Sequence, residues 1–193
     1  MGNREKLLKA ARDCLHEKGY RRTTARDLTT AAGVSLAAIG YHFGSTEALL
    51  NAALHEAVQE WGERLECALA AGADAGASPA ERFAAIWTQI ISSFETDRPL
   101  WAAQAEVLVQ AQHVAELRAP LTASMAEGRS GLAEVFLPPK AEGNIDDTRA
   151  RLVGSLCQTL LTGLVMQWLI DPHQALSANE LASALHILAE ELA

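Results

Sequence analysis

Apolar residues in this chain recur every third or fourth position from end to end, and no useful run of Val, Ile or Thr alternates at period two. The pattern therefore predicts helices and no strands. Leu7, Leu8, Ala11, Cys14 and Leu15 share one face of a first helix over 3–18, and Gly19 suits the left-handed position that closes it. Thr24 opens a second helix. Its T-A-R-D sequence sets an acid three residues after the threonine, a variant of the capping box. Leu28, Ala31 and Ala32 form the apolar side. A-G-V-S then breaks the helix, with Gly33 in the turn and Ser35 as the next N-cap. A short third helix runs over about 36–42 and a long fourth over about 46–70, capped by Ser45 or Thr46.

A linker, A-A-G-A-D-A-G-A-S, covers 70–78. Ser78, Pro79 and Glu81 make a clean start for a fifth helix, whose apolar face is Phe83, Trp87, Ile90, Ile91 and Phe94. Pro99 opens a sixth helix reaching about 111. A seventh spans about 114–136, bent or interrupted at Pro120. L-P-P-K-A-E-G-N, 137–144, reads as a loop. The eighth helix is 146–170, stopped by Asp171-Pro172, and the ninth is 178–192 with Leu181, Leu185, Leu188 and Leu192 as its stripe.

Charge divides the chain. The net charge is −8, yet residues 1–50 hold eight Lys and Arg against five Asp and Glu, net +3, while 51–193 are net −11. A basic head on an acidic body is expected where one end meets a phosphate backbone. Cys14, Cys67 and Cys157 lie far apart with no C-x-x-C, which fits reduced thiols in the cytoplasm and gives no zinc site. The charged N-terminus is unlike a signal peptide. Residues 152–170 carry no charge over 19 positions, long enough to flag as membrane-spanning. Ser155, Gln158, Thr159, Thr162 and Gln167 interrupt the run, so a helix covered on all sides in a soluble assembly is expected instead. No G-x-S-x-G, H-E-x-x-H or P-loop is present, which argues against an enzyme.

Two short helices joined by A-G-V-S and supported by a preceding helix describe a helix-turn-helix. The stretch G-Y-R-R-T-T-A-R-D-L-T-T-A-A-G-V-S-L-A-A-I-G-Y-H-F-G-S-T-E-A-L-L, 19–50, resembles the DNA-binding domain of TetR-family transcriptional regulators. The likeness covers the Gly-Tyr before the second helix, T-x-x-D-L, A-G-V-S, I-x-Y-H-F and E-A-L-L. G-L-V-M-Q-W-L-I-D-P, 163–172, resembles the end of the family's eighth helix. The resemblance implies an all-α fold of about nine helices. A three-helix DNA-binding domain, 1–45, is joined by the long fourth helix to a larger effector-binding and dimerisation domain, 46–193. It implies that Thr24 and Ser35 meet phosphate through hydroxyls and helix N-termini, and that Tyr41 and His42 reach phosphate oxygens. Leu36 and Ala37 would face base edges, Arg26, with Arg21 and Arg22, would supply positive charge, and Thr46 would sit at the backbone. Ile39 and Phe43 fit the core. The chain departs from the family at Gly40, where an aromatic is usual, at Ala37, often Gly, and at Thr46, usually Lys. Its phosphate clamp is thus only partly present.

One short recognition helix touches few base pairs, so specific binding calls for a twofold dimer on half-sites about 34–36 Å apart or a multiple of that. As in the family, the eighth and ninth helices are the expected seam, with Leu156, Leu160, Leu164, Leu181, Leu185 and Leu188. The resemblance further implies a small-molecule effector held among the fifth to eighth helices. Trp87, Phe94, Trp101 and Trp168 would serve as walls, and Gln104, Gln158, Thr159 and Gln167 as orienting groups. Few charges lie there, so the effector expected is weakly charged. The expected protein is a repressor that binds a palindromic operator as a homodimer and is released by the effector, with no metal, cofactor or membrane. The alternative is a helical interaction protein of the same fold that has lost specific DNA binding.

Overall fold

A computed structural model of the protein describes residues 2–72, 76–137 and 147–192. The middle of the expected 70–78 linker and most of the expected 137–144 loop lie outside the described residues. Among those described, the elements are α1 (Asn3–Lys18), α2 (Ala25–Ala32), α3 (Leu36–Phe43), α4 (Thr46–Ala71), α5 (Pro79–Thr96), α6 (Arg98–Gln110), a single 3-10 turn (Ala115–Leu117), α7 (Arg118–Phe136), α8 (Asp147–Ile170) and α9 (Ala178–Glu191). No strand occurs among the described residues. The fold is all-α, with an N-terminal helix-turn-helix followed by further helices among the described residues.

Caps fix most boundaries. Gly19 and Gly33 take positive φ, 79° and 64°, after α1 and α2, a conformation that penalises a Cβ. Ser45, not Thr46, caps α4, since its Oγ accepts from the Ala48 N–H at 3.0 Å. Ser177 and Glu180 form a capping box on α9. Pro120 does not interrupt α7, which begins later than the expected 114, after the 3-10 turn. The helix starts at Arg118, so the proline lies in the first turn, where an N–H has no intrahelical acceptor to lose.

The chain divides into two compact units. One comprises residues 1–61 and 97–124. Its core joins Leu7, Ala11, Leu15, Tyr20, Leu28, Ile39, Leu49, Leu50 and Ala53 to Ala103, Val107 and Leu117. In it α1 packs against α2, α3 and α6. Trp61 and Trp101 meet edge to face at 4.9 Å. The other unit comprises 62–96 and 125–193, where α5 packs on α8 and α9. Trp87, Ile90 and Phe94 are fully buried there, and Phe83, Trp87 and Phe136 form an aromatic cluster with centroids 5.4–6.1 Å apart. Within this unit α7 and α8 approach at Gly154, where an added Cβ would lie 2.2 Å from the Arg129 carbonyl oxygen.

Candidate functional site

α2, the turn at Gly33 and α3 form the helix-turn-helix. Leu28 and Ile39 are buried, and Phe43 packs against the same core with the Arg4 guanidinium 5.4 Å from its ring centroid. That anchoring fixes which side of α3 faces out: Leu36 is 64% and Tyr41 86% exposed, with Ala37 and Gly40 exposed beside them. His42 is half-buried and meets the Tyr41 ring edge to face at 4.8 Å. Ser35 makes no side-chain cap bond, so its hydroxyl is not spent on the helix it precedes. Thr46 is half-buried in the first turn of α4.

Thr24 is more committed than expected. Its hydroxyl donates to Asp27 Oδ2 at 2.6 Å and accepts from the Asp27 N–H at 3.2 Å, while its own N–H donates to the same carboxylate. Lys18 Nζ donates to Asp27 Oδ1 at 2.5 Å. These bonds, with Lys18 foremost, hold the Asp27 carboxyl well below the usual carboxylate range. The α2 N-terminus therefore already holds an anion of its own, and Ala25 and Arg26 supply the remaining first-turn N–H groups. The T-x-x-D spacing carried this signal, because the acid of a capping box accepts the N-cap N–H.

Among the cations, Arg22 Nε donates to the Lys18 carbonyl at 2.7 Å at the end of α1, and Arg12 pairs with Glu60 in a two-pronged contact. Arg26 is exposed on α2. A tie invisible in the sequence joins α6 to the head: Glu106 accepts the Arg21 N–H at 2.8 Å, across 85 positions. Cysteine burial follows the packing. Cys67 is exposed, and burial pushes the Cys157 thiol up to about 11.

The expected effector residues fall in both units. Trp101 and Gln104 belong to the head-containing unit, where Trp101 packs on Trp61. Trp87 and Phe94 are core of the other unit, with Trp168 half-buried 6.1 Å from the Phe94 ring. Gln158, expected as an orienting group, also ties two helices together. Its Nε2 donates to the Met125 carbonyl at 3.0 Å, and its Oε1 accepts from Arg129 Nη1 at 3.2 Å. Thr159 is exposed and donates to the Ser155 carbonyl of its own helix, and Gln167 is exposed. A cleft of about 600 Å³ opens between α7 and α8, lined by charged groups, Arg129, Glu134, Asp147 and Arg151, and by Ser130.

Burial within the chain grades along the residues expected at the seam. Rows of residues four apart turn about 40° around a helix at each step. Leu156, Leu160 and Leu164 accordingly pass from 51% exposed, through half-buried, to buried at 4%. The face left uncovered on α8 is Leu152, Leu156, Thr159, Gly163, Met166 and Ile170. On α9, Leu181 is buried, Leu185 half-buried, and Ile187, Leu188 and Leu192 are exposed. α8 is also long and apolar enough to cross a membrane, with a mean hydropathy of 1.4.

The same fold recurs in solved structures. A regulator from Streptomyces coelicolor A3(2) aligns at TM-score 0.68 and 21% identity, over 94% of this chain and 95% of that one. The multidrug binding protein EbrR, solved with imidazole, aligns at 0.66 and 23%, over 96% and 95%. A regulator from Saccharomonospora viridis, solved with choline, aligns at 0.64 and 21%, over 97% and 95%. Among curated proteins no match is found. The likeness to these structures is one of fold, the N-terminal helix-turn-helix included. Residues 7–53 match the family of bacterial regulatory proteins named for tetR, and 79–193 match the C-terminal part of BetI-type transcriptional repressors. The chain belongs to the TetR family of transcriptional regulators.

Proposed function

We propose that the protein is a ligand-responsive repressor that binds a palindromic operator as a homodimer in the cytoplasm. The observation that carries this reading is α3. It is locked by Ile39 into the core and presents Leu36, Ala37, Gly40 and Tyr41 outward, with an uncommitted Ser35 hydroxyl at its start. This is the geometry of a helix that enters a major groove by its N-terminal turn. Tyr41, His42, Ser35 and the first-turn amides of α2 and α3 hold phosphates, Arg26 adds charge, and the Thr24 hydroxyl serves as the α2 cap. Thr46, in the first turn of α4, stands at the phosphate backbone as a neutral group.

The uncovered apolar stripe of α8, with the exposed end of α9, is the surface a second copy covers in a four-helix seam. That accounts for an apolar helix in which few residues, Gly154, Cys157, Leu164 and Val165, are buried within their own chain. For the effector, a small molecule is favoured by the ligands named with two similar structures, choline and imidazole. Trp87 supports a binding role inside its own unit. It is fully buried, and its indole N–H has no partner among the described residues, a donor that an effector's acceptor atom would satisfy. Effector binding shifts the population toward a dimer whose heads fit the operator poorly.

Selection of duplexes from random DNA by the purified full-length protein tests the reading. A palindromic motif is expected. Recovery of no motif would favour the interaction-protein alternative.

A further inference from the structure

The reading surface of α3 lacks the groups by which proteins usually tell bases apart. Discrimination by hydrogen bonding relies on Arg or Lys at guanine, Asn or Gln at adenine, and Asp or Glu at cytosine. None of those six residue types occurs between Ser35 and Thr46. On the outward face Leu36 and Ala37 occupy the first turn, where a groove-bound helix meets base edges, and neither carries a donor or acceptor. Gly40 follows on the same side, with no side chain and open space where a Cβ would be. Tyr41 is a turn further on, and the Ser35 hydroxyl suits either partner of a base pair, so it does not discriminate.

An apolar surface has one feature to recognise in the major groove, the C5-methyl of thymine. We propose that this protein selects its operator through thymine methyl groups, with the Leu36 side chain as the main contact and Ala37 beside it. The inference rests on the DNA-binding reading above and names its chemistry. The operator half-site carries thymine where α3 begins, and hydrogen bonds to base edges contribute little to the choice.

Uracil tests this directly, because it keeps thymine's pairing and hydrogen-bonding pattern and lacks only the methyl. Thymines of the operator recovered from random DNA are replaced one at a time by deoxyuridine, and affinity for the wild-type protein is read by fluorescence anisotropy at fixed salt. Replacement at the contacted position is expected to weaken binding about fourfold per methyl, and about fifteenfold when both symmetric positions change. With Leu36→Ala, whose side chain is exposed and outside the core, the ratio between thymine and uracil operators is expected to fall toward one. If every uracil operator binds wild type like its parent, shape or unseen polar contacts select the sequence and the proposal is overturned, while DNA binding stands. The proposal is equally overturned if Leu36→Ala keeps the full ratio. If no operator is recovered at all, the DNA-binding reading fails and this inference falls with it.

Discussion

Gly154→Ala probes how closely α7 and α8 pack. In an ordinary helix interior, exchanging glycine for alanine stabilises by about 1 kcal/mol. At Gly154 the new Cβ would stand 2.2 Å from the Arg129 carbonyl oxygen, 3.0 Å from its carbon and 3.3 Å from the Ala133 Cβ. Two of those atoms are main chain, so relief requires α7 and α8 to separate by about 1 Å, which forfeits contacts along the crossing. Overpacking costs about 1–3 kcal/mol, and a backbone obstacle puts this site toward the upper end. Set against the helical gain, a net loss of about 1–2 kcal/mol is expected. Gly131, on the same α7, has nothing within 4 Å of a Cβ, so Gly131→Ala should gain about 0.4–1 kcal/mol. Urea unfolding followed by tryptophan fluorescence, at one protein concentration because subunit association shifts apparent stability, separates the two. Finding Gly154→Ala at least as stable as Gly131→Ala would refute the close crossing and the clamp role given to Gln158.

Folding lowers the Asp27 pKa, so its contribution is present above its ordinary value of 3.8 and is lost as pH falls through the folded value. The stability deficit of Asp27→Asn should therefore be largest near neutral pH and shrink below 3.8. An equal deficit at about pH 7 and about pH 2.5 would contradict the Lys18 pairing. A thiol reagent added to native protein should label Cys67 quickly and Cys14 and Cys157 only on unfolding, since both are buried with raised pKa values. Mass mapping of the labelled peptides checks this, and rapid modification of Cys157 would show that α8 opens. Thr46→Lys should tighten binding to specific and non-specific duplexes alike and steepen the salt slope by about one unit. An unchanged slope would place the α4 N-terminus away from the phosphates. Leu156→Glu, on the exposed stripe of α8, should yield monomers by analytical ultracentrifugation, whereas a dimer as tight as wild type would move the seam elsewhere.

Much of this protein was legible from its sequence because its signals are local. A capping box, a glycine after a helix and a 3.6-residue stripe act within a turn or two of chain. The helices, the turn at Gly33 and the burial of Ile39 beside an outward Leu36 and Tyr41 therefore follow from residues close together. Even the anion at the α2 N-terminus was encoded in T-x-x-D, though its meaning for phosphate contact emerged only with the bonds of Asp27 in view. What tertiary structure decided lies in contacts distant along the chain. Periodicity drew the leucine row 156, 160 and 164 but could not tell how far round α8 the covering helices reach, and they cover Leu164 while leaving Leu156 bare. Gln158 reads as a ligand group because its residue type allows it. It is also a clamp because α7 places the Met125 carbonyl and the Arg129 guanidinium beside it. Glu106 reaches the Arg21 N–H from α6, a pairing no local rule announces. Sequence fixes which faces a helix has, and only the packing of the other helices determines which of those faces remains for DNA, partner or ligand.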